Sequence, residues 1–194
     1  QSSSAASDVY KRQLEAVSQK ENIVITSDQE VIKASDKLVF PGVGAIKDCM
    51  EAFSNDLKGT VLEEVKKKPT LAICVGMQML LESSEENGGV KGLGLLNGKV
   101  CKIQSSQDIK VPHMGWNEVR VVADHPVLSG IEAGDEFYFV HGYYPKPDDD
   151  NHVLARTEYE HQFASAIGHE NYIGTQFHPE KSGRVGLRLI ANFA

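Results

Sequence analysis

The segment Leu71-Ala72-Ile73-Cys74-Val75-Gly76-Met77-Gln78 puts one thiol where an apolar run ends and a helical pattern begins. A strand that turns sharply into a helix exposes the residue at the corner, and the helix N-terminus favours an anion there. Small residues at Ala72 and Gly76, two positions either side, permit the tight corner that presents hydrolase nucleophiles. Far downstream the chain reads Gln176-Phe177-His178-Pro179-Glu180. An imidazole with a carboxylate two residues on supplies a base and the group that orients it. Cys74, His178 and Glu180 together predict a nucleophilic triad that attacks a carbonyl through sulfur. The charge that develops on the carbonyl oxygen needs backbone N–H donors, each worth about 3 kcal/mol in the transition state. Val75, directly after the thiol, is one expected donor. The turn Pro41-Gly42-Val43-Gly44 is the expected source of the other, through Val43 and Gly44.

The remaining thiols and imidazoles lack such a setting. Cys49 and Cys101 are assigned to packing. His125, His152, His161 and His169 stand in polar, turn-like contexts and are expected to face solvent. His113 and His141 stand among apolar and aromatic residues, which suits either a structural role or a place near the site.

Positioning a thiol at such a corner requires parallel strands alternating with helices. Strands are expected at 22–26, at 37–40 ending in the glycine turn, and at 70–73 ending in Cys74. Helices are expected at 8–19, 28–35, 46–68 and from Gly76 to Ser83. The apolar positions Met50, Phe53, Leu57, Val61, Leu62 and Val65 carry the third of these. This alternation predicts an α/β fold with a parallel sheet covered on both faces. After Gly88-Gly89 short β runs take over, near 99–103, 118–122, 136–144, 153–157, 164–168 and 173–176. They predict antiparallel strands added to the same domain, closed by an amphipathic helix at 184–193.

Composition excludes other classes. A net charge of −7 leaves no basic face for phosphate, and Lys66-Lys67-Lys68 closes a predicted helix, where cations suit the dipole. No nucleic-acid partner is expected. Cysteines at 49, 74 and 101 show neither a disulfide framework nor the spacing of a metal site, which fits a reducing, cytoplasmic compartment. No apolar stretch is long enough to span a bilayer, so no membrane association is expected.

Four segments together resemble the class I glutamine amidotransferase family: Phe40–Gly44, Ile73–Gln78, Phe139–Tyr144 and Gly174–Ser182. A fifth, Val111-Pro112-His113-Met114-Gly115-Trp116-Asn117, is similar to the glutaminase subunits of imidazole glycerol phosphate synthases in histidine biosynthesis. The likeness runs from about Ile23 onward, in the family's order and spacing. It implies a flavodoxin-like open sheet and hydrolysis of glutamine to glutamate and ammonia. Cys74 would form the γ-glutamyl thioester, and His178, oriented by Glu180, would move the protons. Val43, Gly44 and Val75 would form the oxyanion hole, whose glycine turn is thought to flip in relatives. Gly42, Gln78, His141, Gly142 and Tyr143 would hold the substrate. The ammonia would pass into a (β/α)8-barrel cyclase subunit, with His113, Met114, Gly115, Trp116, Asn117 and Lys181 at the interface. No metal or organic cofactor is implied.

Three departures from the family pattern stand out. Ala72 replaces a usual Gly, and Gly142 replaces a frequent Ser. Residues 1–13 contain no apolar run to make the family's first strand. They are read as a non-native or disordered segment ahead of a single domain over 14–194, with that strand missing. The alternatives are the glutaminase subunit of another synthase, a peptidase or small-molecule hydrolase on the same fold, and a catalytically silent binding subunit.

Overall fold

Short apolar runs bounded by turn residues become the strands, and they pair around the run that ends in Cys74. The computed structural model describes residues 2–17, 22–42, 44–53, 55–105 and 110–194. In chain order the elements are α1 (Ser2–Val17), α2 (Gln29–Ala34), β1 (Leu38–Phe40), α3 (Ile46–Glu51), α4 (Asn55–Val65), β2 (Thr70–Ile73), α5 (Val75–Gln78) and β3 (Leu81–Ser84). Then follow β4 (Val90–Lys91), β5 (Leu96–Lys102), β6 (His113–Glu118), β7 (Arg120–Val121), β8 (Glu136–His141) and β9 (Tyr143–Pro147). Last come β10 (Val153–Tyr159), β11 (His161–His169), β12 (Tyr172–Thr175) and α6 (Gly183–Phe193).

The main sheet has the order β1-β2-β12-β11-β10-β7. Its β1, β2 and β12 run parallel, and the remaining pairs are antiparallel. A second sheet, β4-β3-β5-β9, and a two-stranded ribbon of β6 and β8 complete the β-structure. The expected α/β sheet with antiparallel additions from the second half is therefore present. Side chains alternate across β2, and this splits the core. Leu71 and Ile73 face the layer of Tyr10, Leu14, Leu189, Ile190 and Phe193 from α1 and α6. Ala72 faces the layer of Ile32, Val61 and Val65 from α2 and α4. Helices thus cover both faces.

Local expectations fail where pairing decides the outcome. Residues 22–26 form no strand, and Val24 and Ile25 stay 53% and 52% exposed. A strand needs a neighbour, and β1 is the edge of the sheet with no described strand beyond it. Residues 1–13 were expected to be non-native or disordered. The described part, from Ser2, forms most of α1, where Tyr10 and Leu14 provide an apolar stripe that packs on α6. The 46–68 helix is two helices, and the second ends at Val65, where Lys67 and Lys68 both turn back to the Glu64 carbonyl before Pro69. The helix expected over Gly76–Ser83 stops at Gln78, since Leu81–Ser84 is drawn into the ladder with β4 and β5.

The segment carrying His178 is clamped onto β8. The His178 N–H donates to the Tyr138 carbonyl at 2.9 Å. The Ser182 hydroxyl accepts from the Tyr138 N–H at 2.9 Å and donates to the His178 carbonyl at 2.6 Å. Behind them Phe137, Phe139 and Phe177 are fully buried against one another. Ser182→Ala leaves the Tyr138 N–H without its acceptor, while the His178 carbonyl keeps only the Lys181 N–H, at 3.0 Å. Chemical denaturation is expected to show a loss of about 1–3 kcal/mol, with the far-UV spectrum unchanged.

Candidate active site

Cys74 links β2 to α5 with φ 53° and ψ −112°, a conformation rare for any residue with a side chain. It persists because its surroundings leave no alternative. The Cys74 N–H is bound to the Thr175 carbonyl at 2.7 Å, and the Cys74 carbonyl accepts the Gln78 N–H at 3.1 Å. The glycine turn presses directly on the corner. A Cβ on Gly76 would lie 2.3 Å from the Phe40 carbonyl oxygen, and one on Gly42 would lie 2.0 Å from the Gly76 nitrogen. Ala72 is not among the residues with positive φ, so its methyl costs the corner nothing in backbone strain. Cys74 is only 5% exposed and opens into a cavity of about 360 Å³, rather than standing in solvent as the sequence suggested.

His178 joins Cys74 at this cavity. Its Nδ1 pairs with Glu180 Oε1 at 2.7 Å, and the two side chains are 2% and 3% exposed. Nδ1 donates to the carboxylate, which leaves Nε2, unengaged in any hydrogen bond, as the atom for proton transfer. Burial pushes the imidazolium toward deprotonation, but the Cys74 sulfur and the Glu180 carboxylate more than reverse this and lift its pKa to about 9. The second carboxylate oxygen of Glu180 accepts from the Tyr10 hydroxyl, and its backbone carbonyl accepts from Gln13 Nε2 at 2.8 Å.

A histidine pair begins at the cavity wall with His141 and runs inward to His113. His141 Nδ1 meets the Tyr143 carbonyl at 2.8 Å, and a carbonyl can only accept, so Nδ1 carries the proton. His141 Nε2 must then accept, at 3.0 Å, from His113 Nδ1. His113 Nε2 in turn accepts from Asn117 Nδ2 at 3.3 Å. Burial holds both rings neutral, with pKa values of about 3 for His141 and about 4 for His113. His113 is stacked between Phe139 and Tyr159, at 4.8 and 3.9 Å between ring centres.

The structure sorts the expected site residues into three groups. Gly44, Cys74, Val75, Gln78, His141, Gly142, Tyr143, His178 and Lys181 line the one cavity. Gly42 and Glu180 stand behind it, and Val43 lies outside the described residues. Of the expected interface residues, Met114 and Trp116 are 62% and 54% exposed, and Lys181 is exposed at the cavity. Gly115 and Asn117 are half-buried. His113 points inward, because the alternation along β6 puts it on the buried face. Four participants escaped the sequence: Gln176 against the sulfur, Glu86 on the cavity wall, and Tyr10 and Gln13 on Glu180. Only Gln176 carried a signal, as a polar residue in the buried strand end that delivers His178. Among the described residues, no cluster of His, Cys, Asp or Glu could hold a metal, and no helix is long and apolar enough to cross a membrane.

Comparison with known proteins agrees with this geometry. The family model for glutamine amidotransferase class-I matches residues 4–194. The chain is 48% identical to imidazole glycerol phosphate synthase subunit HisH of Nitrosococcus oceani over 182 residues, covering 93% of this chain and 87% of the relative. It is 45% identical to the protein of the same name from Methanocaldococcus jannaschii, covering 92% and 89%. In fold it is similar to the crystal structure of a glutamine amidotransferase, with TM-score 0.70 and 16% identity over 93% of this chain and 88% of that one.

The His178 pKa gives a signed pH dependence. A folded pKa of about 9, above the unfolded value of about 6.5, makes a contribution to stability that is complete below pH 6.5 and lost as pH rises through about 9. Cys74→Ala removes the sulfur that raises it while leaving the burial that lowers it. Imidazole NMR titration is expected to place His178 near 9 in the parent chain and at least about one unit lower in the variant.

Proposed function

From the premise that this chain belongs to the class I glutamine amidotransferase family, we propose that it is the glutaminase subunit of an imidazole glycerol phosphate synthase. The observation that carries the proposal is the thiol of Cys74 beside the buried His178–Glu180 pair at one cavity, in a chain 48% identical to a relative bearing that name. In this reading Cys74 sulfur attacks the side-chain amide carbon of glutamine. The carbonyl oxygen takes the negative charge and meets the N–H of Val75, which at the first position of α5 has no acceptor within its helix. The turn through Val43 and Gly44 supplies the second donor. His178 Nε2 gives its proton to the leaving nitrogen, ammonia departs, and a γ-glutamyl thioester remains. The same nitrogen then takes a proton from water, which attacks the thioester and releases glutamate and the thiol. Glu180 stays ionised and stabilises the imidazolium.

The cavity wall suits the rest of the substrate. Gln78, Tyr143 and Gly142 surround the head group, the last through its backbone, since it has no hydroxyl. Glu86, whose Oε2 accepts the Ile46 N–H at 3.0 Å, offers a carboxylate to the α-ammonium. Ammonia is handed to a (β/α)8-barrel cyclase subunit. The face proposed for that subunit is β6, where Met114 and Trp116 leave apolar surface uncovered beside Tyr138. Lys181 extends it at the cavity. The described residues contain no disulfide among the three cysteines, which fits the proposed cytoplasmic location.

Two outcomes test the proposal. Cys74→Ala is expected to lower glutamate release from glutamine at least about 1,000-fold, with parent-like affinity for a barrel-type cyclase partner. Trp116→Ala should do the converse. Calorimetry is expected to show about 30-fold weaker association or more, with glutamine turnover at saturating partner retained.

A further inference from the structure

The thiol at the corner needs help to ionise, and α5 gives little. It has only four residues, from Val75 to Gln78, too few to build much of a dipole. Besides His178, a second side chain meets the sulfur. Gln176 Nε2 lies 3.6 Å from Cys74 Sγ, and Gln176 is completely buried. Its backbone is fixed where β12 ends. The preceding carbonyl, that of Thr175, holds the Cys74 N–H, and the Gln176 N–H is bound to the Ser165 carbonyl at 2.8 Å.

An amide can present oxygen or nitrogen to sulfur, and the network here decides which. The Tyr143 carbonyl is an acceptor only, so the Gln78 side-chain atom 3.1 Å away must be the amide nitrogen. That same nitrogen lies 3.1 Å from the Gln176 side chain, so Gln176 must turn its oxygen toward Gln78. Its NH2 group is then forced onto the sulfur. The opposite orientation would set two NH2 groups face to face and a carbonyl oxygen against a thiolate.

We infer that Gln176 is a further catalytic residue, a buried amide N–H donor that holds the Cys74 sulfur as an anion for attack. The inference rests on Cys74 being the nucleophile of the proposed reaction, but it concerns the sulfur and not the identity of the substrate. It also separates Gln176 from a merely structural role. Holding Gln78 uses the oxygen, whereas ionising Cys74 uses the nitrogen.

Two near-isosteric substitutions exploit that division. Gln176→Glu keeps an oxygen for Gln78 but replaces the N–H donor with a carboxylate against sulfur. Gln176→Met removes both polar atoms. Iodoacetamide labelling of Cys74, followed by mass spectrometry from about pH 5 to about pH 9, reads the midpoint of thiol reactivity in the full chain. The expected midpoint rises by about one unit in Gln176→Met and further in Gln176→Glu. The KM for glutamine of Gln176→Glu should stay within about twofold of the parent value, because Gln78 keeps its acceptor. A parent-like midpoint in Gln176→Glu would overturn the inference and leave Gln176 as a support for Gln78. If that variant does not fold, a parent-like midpoint in Gln176→Met overturns it equally. The expected order of midpoints, in a parent chain that releases no glutamate from glutamine, would uphold the role of Gln176 and reject the proposed substrate. Equal labelling of Cys49, Cys74 and Cys101 in the parent chain would reject both.

Discussion

The backbone of Cys74 is where local preference and global structure conflict. A non-glycine residue at φ 53° and ψ −112° costs on the order of 1–3 kcal/mol and would relax if it could. It cannot, because β2 is held between β1 and β12 by parallel ladders on both sides. The chain leaving β1 lies so close that no Cβ fits at Gly42 or Gly76. The same two neighbours deliver the chemistry. The chain after β1 brings Gly44 to the cavity, and the chain after β12 brings Gln176 and His178. Strain at Cys74 and convergence of the groups around it are thus one geometric fact, and weakening either ladder would loosen both.

Around that corner, three buried histidines with the same intrinsic basicity hold different charge. His141 and His113 have no carboxylate partner, and burial drives them neutral, to about 3 and about 4, with repulsion from His113 and His178 adding to it at His141. His178 is desolvated too, yet contact with Cys74 and Glu180 takes it to about 9. The two outcomes reinforce each other. A neutral His141 adds no positive charge beside the His178 imidazolium. His178 can therefore stay protonated at neutral pH although its ring is buried.

What could be read from the sequence follows the range of the forces involved. Cys74, His178 and Glu180 could be singled out because each sits in a short segment whose local pattern fixes a strand end and a turn. The same holds for most strands of the second half. Partners supplied across long sequence distances were not. Tyr10 reaches Glu180 over 170 positions, from a stretch with no apolar run to mark it as structured. Residues 22–26 have the composition of a strand, but a strand is a property of two segments, and they pair with none of the described strands. The sequence left the direction of His113 open between a structural place and the interface. Alternation along β6 shows which residues share a face, while only the stacking of Phe139 and Tyr159 shows which face is inside.

The hydrogen bonds of the site carry a single polarity, set at the Tyr143 carbonyl and, at the far end, by the Glu158 carbonyl, which accepts from Asn117 Nδ2 at 2.9 Å. The Tyr143 carbonyl accepts from His141 Nδ1 and from Gln78 Nε2. On one arm this fixes the tautomers of His141 and His113 out to Asn117 on β6. On the other it fixes the amides of Gln78 and Gln176 in to the Cys74 sulfur. Neither arm can reverse by itself, since reversal would place two donors or two acceptors together in a buried setting, at about 1–3 kcal/mol for each unmatched group. Acid cannot reverse the histidine arm near neutral pH either, because both rings resist protonation until far below it. A site built this way is set in its donor pattern before any substrate arrives. Preorganisation of that kind is what lets a neutral amide act on a developing charge without reorienting during the reaction.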